Sequence, residues 1–419
     1  MSAKNAIYAQ SGGVTAVINA TACGVIQTAR KFPEKINNVL AGKNGILGVL
    51  QEELLDTSLE SDQAIEGLKS LPGGAFGSCR YKLKSADPSD PDNRRLIDVF
   101  KAHDVGYFFY NGGGDSQDTI NKVSKLSQAL NFPVQCIGVP KTVDNDIVGT
   151  DTCPGFGSVA KYVAISTREA ALDVQSMAET STKVFILEVM GRHAGWIALA
   201  AGLAGSGPDE PPHLILFPEN TFEEDDFVEQ VDLTVKRMGY CVIVASEGIK
   251  DAQGTYLSES GRKDAFGHAQ LGGVAPRLAN IVDQRLGLKY HYAVADYLQR
   301  SARHIAASVD LEQAYSVGAA AVQAAVNGET DVMVSIKRLK DDPYEWETST
   351  MDLQQVANKE GKVPKSYMRE DGYGISEEGR RYLTPLILGE AYPKYEAGLP
   401  RYQQLQNRPL TQKLPVYEV

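Results

Sequence analysis

Short, nearly continuous hydrophobic runs separated by amphipathic stretches are the feature of this sequence that most restricts its fold. Runs without apolar–polar alternation are typical of strands that are buried on both faces of a parallel sheet. The amphipathic stretches predict helices that cover those faces, so the pattern indicates an α/β, doubly wound architecture. The predicted strands are residues 6–10, 105–110, 134–140, 184–189, 213–217 and 241–246.

Polar or glycine-rich segments directly follow five of these strands. Ligands of open α/β sheets bind at the carboxyl ends of the strands. Five segments in the same relation to a strand therefore predict one ligand site. The segments are residues 11–13, 112–116, 141–146 and 190–192, and the single residue Glu247.

The second segment contains three consecutive glycines at 112–114, before a helix that is predicted to begin with Ser116 as its N-cap. Glycine lets a backbone approach a ligand closely, and the N–H groups at a helix start favour an anion. The dinucleotide pattern G-x-G-x-x-G is not met, because Gln117 occupies its last glycine position. Asp115 places a carboxylate where a phosphate is expected, which predicts a phosphate site that is selective for its ligand.

The segment after the third strand carries the most chemistry, with Lys141, Thr142, Asp144 and Asp146 close together. Asp-Asn-Asp is also common in solvated turns. In a functional site the lysine would bind phosphate, one carboxylate would accept a proton and the other would help to hold Mg²⁺. The position after a buried strand favours the functional interpretation.

Other polar residues near strand ends are open to two interpretations. Arg192 either packs at a helix start or pairs with a phosphate. Glu247 is either a helix cap or an acceptor for sugar hydroxyls. Tyr297 and Arg300 lie three residues apart, so on a helix they would form either a packing pair or a phosphate contact. His193 is interpreted as structural.

Composition limits the class of protein. A chain of 419 residues is long enough for two or more domains. Its net charge of −11 makes sequence-independent nucleic-acid binding a poor prospect. The 5 cysteines form no CxxC pair, so neither a zinc site nor a disulfide framework is indicated. No apolar run is long enough to span a bilayer, and we expect a cytoplasmic protein without nucleic-acid or membrane partners.

Three stretches resemble the 6-phosphofructokinase family, and within it the pyrophosphate-dependent kind: residues 140–146, 188–192 and 77–80. The resemblance runs from Ala6 to about Lys337. It implies two doubly wound, Rossmann-like lobes with mostly parallel sheets and an active site in the cleft between them.

The lobe boundaries expected from this resemblance divide the chain into three parts. The donor lobe would comprise residues 1–155 plus about 299–345, and the sugar lobe residues 156–298. Residues 346–419 would form a C-terminal extension that packs on the body. The weakly periodic, charged region 337–381 is predicted to be a surface excursion or a partly ordered extension.

The resemblance also implies roles for individual residues. Asp144 would accept the proton of the C1 hydroxyl of fructose 6-phosphate. Sugar-phosphate contacts would come from Thr142, Met190, Gly191, Arg192, Glu247, Tyr297 and Arg300. Pyrophosphate contacts would come from Gly13, Arg80, Gly113, Gly114 and Ser116.

Donor choice would depend on Asp115 and Lys141, because ATP-using members have glycine at both positions. Two departures from the family pattern stand out. Gly114 stands where family members often have Asp or Asn, the Asp being a Mg²⁺ ligand, so Mg²⁺ is assigned to Asp146, pyrophosphate and water. His291 stands where many members have an arginine that contacts the 6-phosphate from a neighbouring subunit, so that contact is expected either to be weaker or to be made by Arg300 or Lys183.

The sequence therefore predicts a Mg²⁺-dependent enzyme that reversibly transfers a phosphoryl group from pyrophosphate to fructose 6-phosphate. A homo-oligomer, either dimer or tetramer, is expected. Two alternatives stay open at this point. One is an ATP-dependent 6-phosphofructokinase that tolerates Asp115, and the other is a non-catalytic regulatory subunit that binds a phosphosugar.

Overall fold

The computed structural model describes residues 2–257 and 273–419. Its larger sheet has seven strands in the order β11-β10-β5-β4-β1-β2-β3, in which the five central strands are parallel and the two edge strands antiparallel. The strands of this sheet are β1 (Lys4–Gln10), β2 (Ile36–Gly42), β3 (Leu54–Asp56), β4 (Val105–Gly112), β5 (Gln135–Pro140), β10 (Val332–Lys340) and β11 (Glu345–Asp352).

A second, fully parallel sheet has four strands in the order β7-β8-β6-β9. Its strands are β6 (Val184–Val189), β7 (Leu214–Leu216), β8 (Cys241–Ser246) and β9 (Tyr290–Val294). The short strands β12 (Tyr395–Glu396) and β13 (Leu399–Pro400) form a separate hairpin near the C-terminus. These two mostly parallel sheets confirm the predicted α/β fold class.

Helices cover both faces of both sheets. They are α1 (Ile18–Ala29), α2 (Ile46–Leu50), α3 (Asp62–Gly67), α4 (Pro91–Ala102), α5 (Gly114–Ala129), α6 (Phe156–Met177), α7 (Trp196–Ala201), α8 (Glu224–Met238), α9 (Val274–Leu286), α10 (Asp296–Ser301), α11 (Ser308–Val326), α12 (Leu353–Val356) and α13 (Glu377–Leu383). None of the helices in the described ranges is long and apolar enough to cross a membrane.

Strand β1 shows why the hydrophobic runs do not alternate. Tyr8 packs on one side of the sheet among residues of α1 and α11. Its neighbour Ile7 packs on the other side among residues of α4 and α5. Because successive side chains of a strand point to opposite faces, a strand covered by helices on both sides needs apolar residues at every position.

Two predictions about local structure were wrong. Helix α5 begins at Gly114 with Gly113 as its N-cap residue, so Ser116 is not the cap. The Ser116 hydroxyl instead donates a hydrogen bond of 2.8 Å to Ser11 Oγ, because the tertiary fold brings the loop after β1 next to the start of α5. The segment 337–381 is not a surface excursion either, since it completes β10 and contributes the edge strand β11, α12 and most of α13.

The C-terminal tail packs back on the larger sheet and its helices. The amide of Asp56 donates to Arg408 O at 2.9 Å, and the amide of Leu410 donates to Leu54 O at 2.8 Å. The proposed lobe boundaries stay a prediction, and residues 258–272 of the expected sugar lobe lie outside the described residues.

Candidate active site

A cavity of ≈ 930 Å³ lies where the carboxyl ends of strands from both sheets face each other. All five segments that follow the predicted strands contribute to it. Of the residues expected at the site, those that line the cavity are Gly13, Arg80, Gly113, Gly114, Asp115, Ser116, Lys141, Thr142, Asp144, Asp146, Met190, Arg192, Glu247, Tyr297 and Arg300. The volume is ample for a phosphosugar together with a second small anion.

The glycine-rich loop is packed tightly at its first glycine only. A Cβ at Gly112 would lie 2.1 Å from Ser116 Oγ and 2.9 Å from Ser11 Cβ, so no side chain fits there. A Cβ at Gly113 or Gly114 would meet only backbone carbonyls at 3.8–3.9 Å, which is ordinary contact. Packing therefore explains one of the three glycines, and the other two leave open backbone at a helix start where an anion binds well.

Lys141 is a buried cation at the centre of this arrangement. Its ammonium group donates a hydrogen bond of 2.6 Å to Gly13 O, and its side chain is only slightly exposed. Burial, and after it the positive charge of Arg300, lower the pKa of Lys141 to about 8, while the negative charges of Asp144 and Asp146 act in the opposite direction. A lysine held in this way places positive charge where little water can screen it.

The backbone of the loop that carries Asp144 is fixed from three sides. Asn145 adopts a left-handed conformation, with φ of 54°. Its side-chain oxygen accepts a hydrogen bond of 2.9 Å from the amide of Cys153, and its side-chain nitrogen donates one of 2.9 Å to the Tyr382 hydroxyl. The amide of Asp144 itself donates to Thr142 Oγ1 at 3.0 Å. Asparagine tolerates this backbone conformation and bonds locally, which suits it to the turn.

The two aspartates of this loop have raised pKa values. For Asp144 the first cause is burial and the second the negative charge of Glu247, while Lys141 and Arg192 act in the opposite direction. For Asp146 the causes are burial and then the charge of Asp144. A carboxylate with a raised pKa is a stronger base, so Asp144 is suited to accepting a proton.

The opposite side of the cavity is formed by the ends of β6 and β8. The amide of Glu247 donates to Val189 O at 2.9 Å, which holds the two strand ends together. Burial raises the pKa of the Glu247 carboxyl, and the positive charge of Arg192 opposes this shift. The amide of Met190 donates to Gln299 Oε1 at 3.3 Å, and so links this loop to α10. Gly191, which was expected to contact the sugar phosphate, does not line the cavity, although its neighbours Met190 and Arg192 do.

Asp115 has a partner that the sequence did not indicate. Its carboxylate accepts a hydrogen bond of 2.6 Å from Lys82 Nζ, and both side chains are partly exposed. Asp115 also lies in the first turn of α5, where a negative charge is favourable. The carboxylate is therefore held at the mouth of the glycine-rich loop.

Lys183 is the expected contact that the structure does not bring to the cavity. It stands immediately before β6, at the end of the strand opposite to Met190, and its ammonium group donates to the carbonyl oxygens of Ala178 and Glu179. Because a strand of six residues separates the two ends, this side chain cannot reach the cavity of its own chain. Lys183 therefore does not contact a sugar phosphate in the cavity of its own chain, and a contact that it makes from a neighbouring subunit stays a prediction.

Several lining residues come from a segment where sequence patterns gave no signal. Asn358, Lys359 and Glu360 line the cavity. Glu360 Oε1 lies 2.9 Å from Nδ1 of His193, which also lines the cavity. These residues follow α12 in a stretch without hydrophobic periodicity, so only the tertiary fold shows where they lie.

Asp146 is the residue that best fits a role in holding Mg²⁺. Its Oδ1 atom is buried and has no hydrogen-bond partner among the residues that the structure describes. In the same described ranges no group of three or more His, Cys, Asp or Glu residues could hold a metal ion by itself. Mg²⁺ commonly binds through one or two carboxylates, with substrate phosphates and waters as its other ligands.

Fold and cavity together define an α/β protein whose site combines a glycine-rich helix start, a buried lysine and a basic carboxylate, as expected for phosphoryl transfer. The chain belongs to the phosphofructokinase family, because residues 5–325 match the family model described as Phosphofructokinase.

Individual relatives are similar over nearly the whole chain. The chain is 58% identical over 414 residues to the pyrophosphate–fructose 6-phosphate 1-phosphotransferase of Methylococcus capsulatus, covering 99% of each chain. It is 57% identical to the protein of the same name from Halomonas elongata, covering 100% of each. The crystal structure of pyrophosphate-dependent phosphofructokinase from Marinobacter aquaeolei superposes with a TM-score of 0.91 at 58% identity, covering 99% of this chain and 100% of that one.

Proposed function

We propose that this chain transfers a phosphoryl group from pyrophosphate to the C1 hydroxyl of fructose 6-phosphate, giving fructose 1,6-bisphosphate and phosphate, and that it also catalyses the reverse reaction. The observation that carries the proposal is that Asp115, Lys141 and Asp144 line one cavity. The relatives named above favour pyrophosphate over ATP as the donor.

In the forward direction, Asp144 takes the proton from the C1 hydroxyl as its oxygen attacks the distal phosphorus of pyrophosphate. A new P–O bond forms to the sugar, and the bond to the leaving phosphate breaks. In the reverse direction the protonated Asp144 returns its proton to the sugar oxygen. The raised pKa of Asp144 makes both steps easier near neutral pH.

Lys141 and the open backbone of the glycine-rich loop receive the donor. Lys141 stabilises negative charge that develops on the transferring and leaving groups. The Asp115 carboxylate opposes a longer donor, because two unit charges about 4 Å apart repel by ~4 kcal/mol at an effective dielectric constant near 20, a repulsion that the salt bridge with Lys82 reduces. Pyrophosphate has no third phosphate, so it avoids that contact. Arg80 and Ser116 complete this subsite.

Fructose 6-phosphate binds on the other side of the cavity. Arg192 and Arg300 supply guanidinium groups that can pair with its phosphate. The Arg300 guanidinium stacks over the Tyr297 ring at 3.8 Å and reaches the loop of Gly13, where a Cβ would lie 2.6 Å from Nη1. Glu247 and Thr142 accept or donate hydrogen bonds to sugar hydroxyls, and the Met190 side chain packs on the sugar ring.

Mg²⁺ is the cofactor of this proposal, with Asp146 as the residue that holds it. When bound, the ion neutralises negative charge on the pyrophosphate oxygens. The homo-oligomeric state, dimer or tetramer, and the cytoplasmic location stay predictions from the sequence.

Steady-state assays with each donor test the proposal. We expect turnover of fructose 6-phosphate with pyrophosphate and little or none with ATP. Turnover with ATP and none with pyrophosphate would mean an ATP-dependent 6-phosphofructokinase. Binding of fructose 6-phosphate without turnover with either donor would mean a regulatory subunit.

The role of Asp144 is tested by a variant. We expect Asp144→Ala to remove most turnover while fructose 6-phosphate still binds, and calorimetric titration measures that binding.

A further inference from the structure

Residues 358–363, called here the strap, contact the loop of Asp144 and Asp146, the start of α7 and the first turns of α5. They lie beyond the family match at residues 5–325. We propose that the strap is a positioning segment for phosphoryl transfer, which holds the loop of Asp144 and Asp146 against the sugar-binding loop after β6. This inference rests on the proposed function and adds a segment to it that the family match does not include.

The strap is joined to the catalytic loop through the backbone. The amide of Gly361 donates to Asp146 O at 2.7 Å. Glu360 and Ile147 form an antiparallel bridge. Both contacts lie within three residues of Asp144, so they restrict where the carboxylates of this loop can point.

The strap is joined to the sugar side through side chains. Glu360 Oε1 lies 2.9 Å from His193 Nδ1, directly after Arg192. The Trp196 indole donates to Gly361 O at 3.2 Å. The amides of Val363 and Gly195 both donate to Glu219 Oε1, at 3.1 Å and 2.9 Å. These contacts connect the strap to the turn before α7 and therefore to the end of β6.

The donor side is contacted at the first residue of the strap. Asn358 Nδ2 donates to Asp118 Oδ1 at 3.1 Å, one turn into α5 from Gly114. A Cβ at Gly114 would lie 3.9 Å from Lys359 O, so the strap backbone runs close to the start of α5. Asn358 has φ of 59°, a left-handed conformation that asparagine tolerates well.

These contacts matter for function more than for stability. The side chains of Glu360 and His193 are 49% and 33% exposed, and ion pairs with such exposure contribute little to folding. Transfer between two bound substrates requires the attacking oxygen, the phosphorus and the base to be aligned, and a misplacement of about 1 Å can cost on the order of 100-fold in rate. A segment that fixes the two loops relative to each other supplies this alignment.

Three variants test the strap, with kcat, both KM values and Tm measured for each. Glu360→Ala removes the contact with His193, and Glu360→Gln keeps an oxygen that can accept from Nδ1. Glu347→Ala is the matched control, because it breaks the exposed pair between Lys337 and Glu347 in the same C-terminal part of the chain, away from the cavity. We expect Glu360→Ala to lower kcat by on the order of tenfold with both KM values and Tm near those of the wild type. Glu360→Gln should retain most of kcat, and Glu347→Ala all of it.

Two results would overturn the proposal. One is a kcat for Glu360→Ala equal to that of the Glu347→Ala control. The other is a rise in KM with kcat unchanged, which would make Glu360 a substrate contact instead of a positioning residue. The failure of the proposed function is recognised separately, in the wild-type protein, by turnover with ATP and none with pyrophosphate. In that case the same comparison of variants is made with ATP.

Discussion

The ammonium nitrogen of Lys141 lies 2.6 Å from the main-chain oxygen of Gly13, so a buried cation joins the loop after β5 to the loop after β1. These two strands are not adjacent in the sheet, because β4 lies between them. The glycine-rich loop follows β4, so the lysine side chain passes this loop to reach Gly13. Its positive charge therefore lies where an anion bound by these loops would be.

The pKa of Lys141 predicts the alkaline limb of the pH profile. Burial lowers this pKa to about 8, so the ammonium loses its charge as the pH rises through that value. We expect kcat/KM for pyrophosphate to fall above pH 8. In Lys141→Arg the guanidinium stays protonated, so the alkaline limb should disappear even if the rate is lower. An unchanged limb in this variant would assign it to another group.

The negative charge of Glu247 predicts where kcat/KM falls on the acidic side of its pH profile. Burial raises the pKa of Asp144 and the Glu247 carboxylate raises it further, so Asp144 takes up a proton at a higher pH than an ordinary aspartate. Glu247→Gln should therefore move the acidic limb of kcat/KM to lower pH. Glu169→Gln, which removes an exposed carboxylate of α6, is the control and should leave the limb in place.

Gly13 is predicted to be required because of Arg300. A Cβ at this position would lie 2.6 Å from Arg300 Nη1. The end of an arginine side chain can move aside, so Gly13→Ala should displace the Arg300 guanidinium. We expect this to raise the KM for fructose 6-phosphate, whose phosphate Arg300 binds in the proposal, while Tm changes little. Gly207→Ala is the control, because a Cβ there would meet nothing within 4 Å. A large fall in Tm with unchanged KM would contradict this account.

Gly114 is predicted to accept an acidic side chain. The nearest atom to a Cβ at this position is Lys359 O at 3.9 Å, so the backbone and the packing leave room. We expect Gly114→Asp to lower the Mg²⁺ concentration needed for half-maximal rate, because it adds a carboxylate near the donor. The uncharged variant Gly114→Asn should not do so, and calorimetric titration with Mg²⁺ measures the affinity independently of turnover.

Glu52 is predicted to hold the C-terminal tail. Its fully buried carboxylate lies 2.7 Å from His103 Nε2 and accepts hydrogen bonds from the amides of Lys413 and Leu414 at 2.6 Å and 3.0 Å. Breaking such a buried charged network costs about 3 kcal/mol or more. Glu52→Gln should lower the free energy of unfolding by this order and expose the tail to proteases. Glu53→Gln, at a partly exposed neighbour, is the control.

The pH dependence of this contact has a definite sign. Burial raises the pKa of Glu52, but the hydrogen bonds from Lys413, His103 and Leu414 outweigh it and lower the pKa below its ordinary value. The stability that Glu52 contributes is therefore present above the pKa of the unfolded chain and is lost as the pH falls through the folded value. Protease sensitivity of the tail should rise on acidification in the wild type and not in Glu52→Gln.

The strands that sequence patterns predicted are β1, β4 and β5 of the larger sheet and β6, β7 and β8 of the smaller sheet. Each is apolar throughout because helices cover both of its faces, as Ile7 and Tyr8 show. Strands β2, β3, β9, β10 and β11 were missed. Of these, β9 and β11 lie at sheet edges and have exposed side chains, for which no continuous apolar run is needed. Strands β2 and β10 lie inside the larger sheet, but exposed polar residues such as Asn37 and Lys337 interrupt or shorten their apolar runs. The start of α5 was misplaced because Ser116 donates to Ser11, in the loop after the neighbouring strand β1, instead of capping its helix.

The amino-acid sequence by itself determined six of the parallel strands, the loops at the carboxyl ends of five of them and the residue types that could perform phosphoryl transfer there. These are local properties, since burial on two faces and the chemistry of a loop are both written in consecutive residues. Only the tertiary structure decided that Lys183 points away from the cavity, that Lys82 pairs with Asp115 and that the strap crosses the catalytic loop. Those relations join residues far apart in the chain, and they are set by how the elements pack.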